Sequence, residues 1–243
     1  MSIMKEKKTL VVLSGSGISA ESGIQTFRGS DGLWNGVPVE EVCSPEGWKK
    51  NPGKVLNFYN GRRAQLGNVK PNEAHLILAQ LERDFNVEII TQNVDDLHER
   101  AGSTKVLHLH GELTKVRPED CYSKKDNYSL EYVSDIGYRT VSFGETGGPQ
   151  SRQLRPHVVW FGEAVPNLSL AMQTVRKADA LLIIGTSLQV FPAAMLYTQA
   201  QDGCDIFMID PDDSPAGMVL GVEHIKEKAT VGMEKFRNII SSL

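Results

Sequence analysis

Four short runs in this chain place chemistry-bearing side chains at the ends of apolar strands. The first is Gly15-Ser16-Gly17-x-x-Ala20, directly after Leu10-Val11-Val12-Leu13. Gly15 allows a tight turn and Gly17 lets a phosphate approach the backbone. A helix starting near Ser19 would add unpaired N–H groups and the positive end of its dipole. The same spacing also suits a plain strand–helix turn. The second run is Thr91-Gln92-Asn93-Val94-Asp95. Carboxamides both donate and accept, so Gln92 and Asn93 can grip a ligand amide from two sides, and Asp95 can take an amide or a ribose hydroxyl. Asn93 or Asp95 could equally cap the following helix. The third is His108-Leu109-His110-Gly111-Glu112, with both imidazoles on one face of a strand. No further ligands accompany them at the spacing a metal needs. A histidine at a strand end beside a nucleotide cleft is placed to act as a base. The fourth, Gly185-Thr186-Ser187 after Ala180–Ile184, repeats the arrangement that suits phosphate or ribose.

The elements that must carry these runs follow from hydrophobic pattern. Apolar runs at 10–13, 87–91, 106–109, 157–161, 180–184 and 206–209 alternate with helical patterns. Continuous apolar strands separated by helices predict a parallel sheet covered on both faces. The clearest helix is 72–85, with Asn72 as cap and Ala74, Ile77, Leu78, Leu81 and Phe85 on one face. The expectation is an α/β fold, a Rossmann-like doubly wound parallel sheet with a second, smaller lobe inserted. Ligands in such folds bind at the carboxyl ends of the strands. Residues 37–70 read as helical, with a cap at Ser44-Pro45-Glu46 and a helix across 52–66. Residues 112–155 are polar, with a hairpin expected to pack through Tyr132, Tyr138 and Phe143. These two segments are assigned to the smaller lobe, and 1–36, 71–111 and 156–243 to the nucleotide-binding domain.

Composition narrows the class. The 243 residues are 40% hydrophobic and 23% charged, with a net charge of −4, which suggests no nucleic-acid footprint. No apolar run reaches the length of a membrane span, and the four-residue run after the basic start reads as a strand, not a signal peptide. Three scattered cysteines, Cys43, Cys121 and Cys204, argue for a reducing compartment, with the cytoplasm as the expectation.

Taken together, the runs resemble the sirtuins, the NAD-dependent protein-lysine deacylases. The stretch Gly15 to Trp34 resembles that family's opening motif, TQNVD its TQNID run, HGE its catalytic motif, His157–Glu163 its VVWFGE, and GTSLQVFPAA its GTSLxVxPAA. The resemblance implies that NAD is consumed as a co-substrate. Asn93 and Asp95 would line a nicotinamide pocket beside Val94, Gln92 would contact ribose, and His110 would be the general base. It further implies a lid carrying Phe27 and Arg28 near Trp34. Val158 to Gly162 would form a free strand edge for an acylated lysine segment, with Phe161 flanking the acyl-lysine tunnel. Ala229 would let adenine close in. The expected partners are acylated lysine side chains of proteins, with no nucleic acid and no membrane.

The chain departs from the pattern in two places. Most sirtuins carry two CxxC pairs after the catalytic histidine, whereas 112–157 holds only Cys121 and His157; a tetrahedral thiolate site cannot be built there, so no zinc is expected. Asp210 stands where the family usually has Asn, and can still accept from ribose hydroxyls. Tyr59 and Arg62 lie three apart on a helix face, which is usually a solvated pair. The resemblance to class III members implies instead that they bind the carboxylate of a succinyl- or malonyl-lysine, a task that suits a planar bidentate donor beside a phenol. The expected activity is deacylation (deacetylation, desuccinylation or demalonylation) yielding O-acyl-ADP-ribose. The alternative is ADP-ribosyl transfer or NAD hydrolysis in the same pocket.

Overall fold

A computed structural model describes residues 7–26, 33–34, 36–119, 132–213 and 215–241. Strand β1 (Thr9–Ser14) runs through the middle, and Leu10, Val11, Val12 and Leu13 have no exposed surface. It leads into a 3-10 helix, Ser16–Ser22, which begins three residues before the helix start expected near Ser19. The chain continues through β2 (Leu33–Trp34), β3 (Val37–Pro38), α1 (Val39–Val42), α2 (Pro45–Lys50) and α3 (Pro52–Asn68). Ser44 and Asn51 start the last two helices by accepting from Gly47 and Lys54 amides, each at 2.9 Å, with a proline following each cap. Asn72 likewise caps α4 (Glu73–Leu81), accepting from Ala74 N at 3.0 Å. Then come β4 (Asn86–Thr91), α5 (Leu97–Ala101), β5 (Val106–His108), β6 (Gly111–Pro118), β7 (Ser134–Asp135), β8 (Thr146–Gly147) and β9 (Arg152–Val158). The rest is α6 (Leu168–Val175), β10 (Ala180–Ile184), β11 (Asp205–Ile209), β12 (Glu223–Ile225) and α7 (Ala229–Ile240), with 3-10 helices at Ala193–Gln199 and Ala216–Met218.

Six strands form one parallel sheet in the order β12-β11-β10-β1-β4-β5. Alternate residues of β1 feed opposite faces. Leu10 and Val12 pack with Ile77 and Leu78 of α4 and with Met233 and Phe236 of α7. Val11 and Leu13 pack with Ala171 and Val175 of α6 and with Ala193 and Leu196. Burying each such side chain is worth about 1.5–3 kcal/mol, so unbroken apolar strands are what this two-sided sheet requires. The doubly wound reading is therefore correct.

One expected member of that sheet lies elsewhere. The run 157–161 starts in the last two residues of β9, which is antiparallel to β6 in a second sheet of order β7-β6-β9-β8, and continues past the strand. Val158 and Trp160 are buried there in a separate core with Trp34, Trp48, Tyr59 and Val116. An apolar run looks alike in either sheet, so periodicity alone does not separate them. The sixth parallel strand, β12, is three residues long and partly charged, which hides it in the sequence. The aromatics at 138 and 143 do not build the lobe: Tyr138 and Phe143 are exposed, and the aliphatic Leu113, Val116 and Val141 are buried instead. Cys121 lies outside the described residues. Among the described residues no helix is long and apolar enough to cross a membrane.

Candidate active site

Strand order opens the site. The connections leaving β1 and β10 diverge to opposite sides of the sheet, and a crevice forms at their carboxyl ends. A cavity of about 990 Å³ occupies it, with Gly15, Ser16, Gly17 and Ala20 on one wall and Gly185, Thr186 and Ser187 on another. The two glycine loops touch. Gly17 N–H donates to Gly185 O at 2.8 Å and Gly15 N–H to Ile184 O at 3.0 Å. A Cβ at 17 would lie 2.6 Å from Gly185 Cα, and Gly185 itself has φ +63°. Gly17 was expected to let a phosphate approach the backbone; its own N–H is committed to the neighbouring loop. The glycine is required because backbone meets backbone.

The floor comes from the turn after β4. Asn93 Nδ2 donates to Gly15 O and to Ser19 Oγ, each at 3.2 Å, and Ser19 Oγ donates to Asp95 Oδ2 at 3.0 Å. Asp95 Oδ1 also accepts from Leu97 N, the first amide of α5, at 3.2 Å; Asp96 is the N-cap residue and Asp95 lies on the cavity wall. Burial raises the Asp95 carboxyl above its ordinary pKa. Gln92 Nε2 donates to Thr186 Oγ1 at 3.0 Å, tying this turn to the β10 loop.

The two strand-end histidines have different surroundings. His108 Nδ1 reaches Asn93 O at 2.9 Å and Nε2 reaches Glu99 Oε1 at 2.8 Å. Both partners only accept, so both nitrogens donate. Burial opposes that charge, but the Glu99 bond and charge outweigh it and hold the pKa up. His108 therefore anchors the Asn93 carbonyl. His110 lines the cavity and contacts Gln92 O through Nδ1 at 3.1 Å. A carbonyl accepts only, which places the proton on Nδ1 and leaves the Nε2 lone pair. Burial lowers the His110 pKa, so the neutral form prevails at pH 7. His98 of α5 is fully buried: Nε2 lies 3.0 Å from Ser14 Oγ and the ring meets His75 edge-on at 5.0 Å.

Other expected residues also reach the cavity: Trp34, Val94, Val158, Phe161, Gly162, Asp210 and Ala229. Phe161 is 49% exposed. Asp210 Oδ1 accepts from Asp212 N at 2.9 Å, and burial raises its pKa. Arg62 lines the cavity at 8% exposure, with its Cζ 5.6 Å from the Trp34 ring centre, Nη1 on Gln65, and Nε without a hydrogen-bond partner. Tyr59 does not join it. Its ring is fully buried and its hydroxyl accepts from Trp160 Nε1 at 3.0 Å. Tyr59 and Arg62 share a helix, but only one faces the cavity. Phe27 and Arg28 lie outside the described residues. Pattern reading passed over Ser19, which holds both Asn93 and Asp95, and Phe191, 70% exposed beside the cavity. Both sit inside quoted motifs, but neither residue type announces a contact. Among the described residues no cluster of three or more metal-ligating side chains occurs.

The arrangement is a nucleotide-sized crevice with polar groups on its floor and a neutral imidazole at one side. The profile of the Sir2 family matches residues 15–192. An NAD-dependent protein deacylase of Helicobacter pylori is 55% identical over 93% of this chain and 95% of its own length. One of Bacteroides thetaiotaomicron is 48% identical over 96% and 98%. A solved Sir2 homologue in complex with NAD superposes with a TM-score of 0.83 at 40% identity, covering 98% of this chain and 91% of that one.

Proposed function

The chain belongs to the Sir2 family, and from that membership we propose that it is an NAD-dependent protein-lysine deacylase. The products are free lysine, nicotinamide and O-acyl-ADP-ribose. The observation that carries this reading is His110, neutral, with Nε2 available on a cavity whose floor is Asn93 and Asp95. The wall residues suit NAD: carboxamides and a carboxylate for the nicotinamide end, hydroxyls of Ser16, Thr186 and Ser187 for phosphate or ribose, and Asp210 for ribose hydroxyls. Ala229 leaves room for adenine. NAD supplies an electrophilic sugar carbon when nicotinamide departs. His110 Nε2 takes the proton from a ribose hydroxyl, its imidazole held in orientation by Gln92 O. Val158, Phe161 and Gly162 receive the acyl-lysine segment.

Acyl choice follows from Arg62. A buried guanidinium on the cavity wall, with its Nε lacking a hydrogen-bond partner, matches an acyl chain ending in a carboxylate, so succinyl- and malonyl-lysine are the preferred substrates. We further read the chain as zinc-free and cytoplasmic, on its three scattered cysteines. Metal analysis of the purified protein tests the first, and one zinc per chain would overturn it.

The test of the main reading is nicotinamide release from NAD with and without a succinylated peptide. Release should depend on peptide, and His110→Ala should lower it at least about 100-fold while NAD still binds in calorimetry. Peptide-independent ADP-ribose production, or full activity in the variant, would sink the reading and favour NAD hydrolysis or ADP-ribosyl transfer.

A further inference from the structure

Phe161 and Gly162 stand at the cavity on a turn that is clamped from behind. Glu163 N–H donates to Trp160 O at 3.0 Å, and the Glu163 carboxylate turns back to accept from Trp160 N–H at 2.8 Å. Arg155 grips that carboxylate with both ends of its guanidinium, at 2.6 Å to Oε1 and 3.1 Å to Oε2. Arg117 reaches Oε2 at 3.3 Å. Arg155 also donates to Val158 O at 3.1 Å, and its Cζ lies 3.2 Å from the Trp160 ring centre. The two arginines are 1% and 3% exposed, and the Glu163 side chain 7%.

Stability alone is a poor reason for this cluster. Taking three charges out of water costs about what their attraction returns, and apolar residues of similar volume often serve as well. What the cluster does provide is direction. A bidentate fork on a planar carboxylate fixes angles as well as distances. Three residues of the cluster, Arg155, Trp160 and Glu163, flank or belong to the strand and turn that present Phe161. The Phe161 amide is fixed independently, donating to Cys43 O at 3.0 Å.

We infer that Glu163, through Arg155 and Arg117, is a positioning residue that holds the Trp160–Glu163 turn at one setting for the acyl-lysine segment. It acts on recognition of the acylated peptide and leaves nucleotide binding alone. The inference rests on the deacylase reading above, since only that reading gives the turn a peptide to receive.

Glu163→Gln keeps the shape but presents an amide to the arginines; Arg155→Lys keeps the charge but loses the fork. Each should raise the KM for acylated peptide about ten-fold or more, with kcat and the peptide-free NAD affinity changed by no more than about two-fold. A purely structural role predicts a smaller active fraction, with kcat lowered at unchanged peptide KM, and that result overturns the proposal. An equal loss of NAD affinity also overturns it. Should Glu163→Gln fail to fold, the split in Arg155→Lys decides; failure of both to fold assigns the cluster to stability and overturns the inference. Failure of the deacylase reading would appear in the wild-type protein, as nicotinamide release indifferent to peptide. Failure of this proposal would appear only in the variants.

Discussion

Replacing Gly17 by alanine tests the junction on which the crevice depends. The added Cβ would lie 2.6 Å from Gly185 Cα and 2.9 Å from Gly185 O, both backbone atoms that cannot rotate away. Carbon atoms in contact prefer about 3.5–4.0 Å, so the β1 and β10 loops would have to part by roughly 1 Å. That stretches the Gly17 N–H to Gly185 O bond beyond its present 2.8 Å, to a length at which it no longer counts. Overpacking of this kind costs about 1–3 kcal/mol and the lost bond about 1 kcal/mol more, giving about 2–4 kcal/mol in all. For a chain of this size each kcal/mol moves Tm by about 2–4 °C, so the melt should fall by about 4–16 °C. If as little as about 1.4 kcal/mol of the distortion reaches the ligand, NAD affinity drops ten-fold. Gly61→Ala is the opposing control. It lies inside α3 with nothing within 4 Å of the new Cβ, so helix propensity alone should raise stability by about 0.5–1 kcal/mol. Differential scanning fluorimetry and calorimetry with NAD read both variants. A Gly17→Ala protein that melts and binds like the wild type would refute the claim that the two loops are held in backbone contact.

Arg62→Met should depress desuccinylation about 10- to 100-fold, the worth of a charge-assisted pair, while deacetylation changes little; equal losses in a paired peptide assay would remove Arg62 from acyl selection. Tyr59→Phe should leave that selectivity unchanged and lower Tm by several degrees, because it strips Trp160 Nε1 of its acceptor; a selective loss of desuccinylation would show that the phenol does reach the acyl group. The acid limb of kcat/KM should have its midpoint below the 6.5 ordinary for histidine, because burial lowers His110 and the neutral ring is the base; a midpoint above that value would exclude His110 in this role. Stability should fall as pH drops below 6.5. Burial holds His75 down to about 4 and His157 to about 3, so the unfolded chain takes up protons there that the folded chain does not. Each contributes about 1.4 kcal/mol per pH unit within its window. Urea midpoints at pH 7, 6 and 5 measure the slope, which His157→Gln should flatten.

Much of this site is legible in the chain because strand ends advertise themselves. Gly15 to Ala20, Gln92 to Asp95, His110 and Gly185 to Ser187 each follow an apolar run, and each reaches the cavity. What stayed hidden depends on which neighbour a residue meets. Tyr59 and Arg62 have the same sequence spacing whether both or one face a ligand; the Trp160 indole decides, and it lies 101 residues away from Tyr59. The amide of Gly17 looks open until β10 is laid beside β1. His98 reads as solvent-facing until Ser14 and His75 enclose it. The smaller lobe was obscure for a related reason: its core is shared among α3, β6 and β9, so no single segment carries enough apolar residues to declare itself.

His110 occupies the joint between the two sheets. Leu109 N–H donates to Thr91 O at 2.9 Å, continuing the parallel ladder, while the His110 carbonyl accepts from Val159 N–H at 2.9 Å in the small sheet. Gly111 pairs with Val158 at φ +83°, and a Cβ there would meet His157 O at 2.1 Å, so only glycine lets the strands close immediately after the base. The ladder stops at Val159, and the turn that carries Phe161 follows it, with the Phe161 amide donating to Cys43 O at 3.0 Å. The Trp160–Glu163 turn lies beyond that last rung, so its setting can change without moving His110 against Asn93 and Asp95.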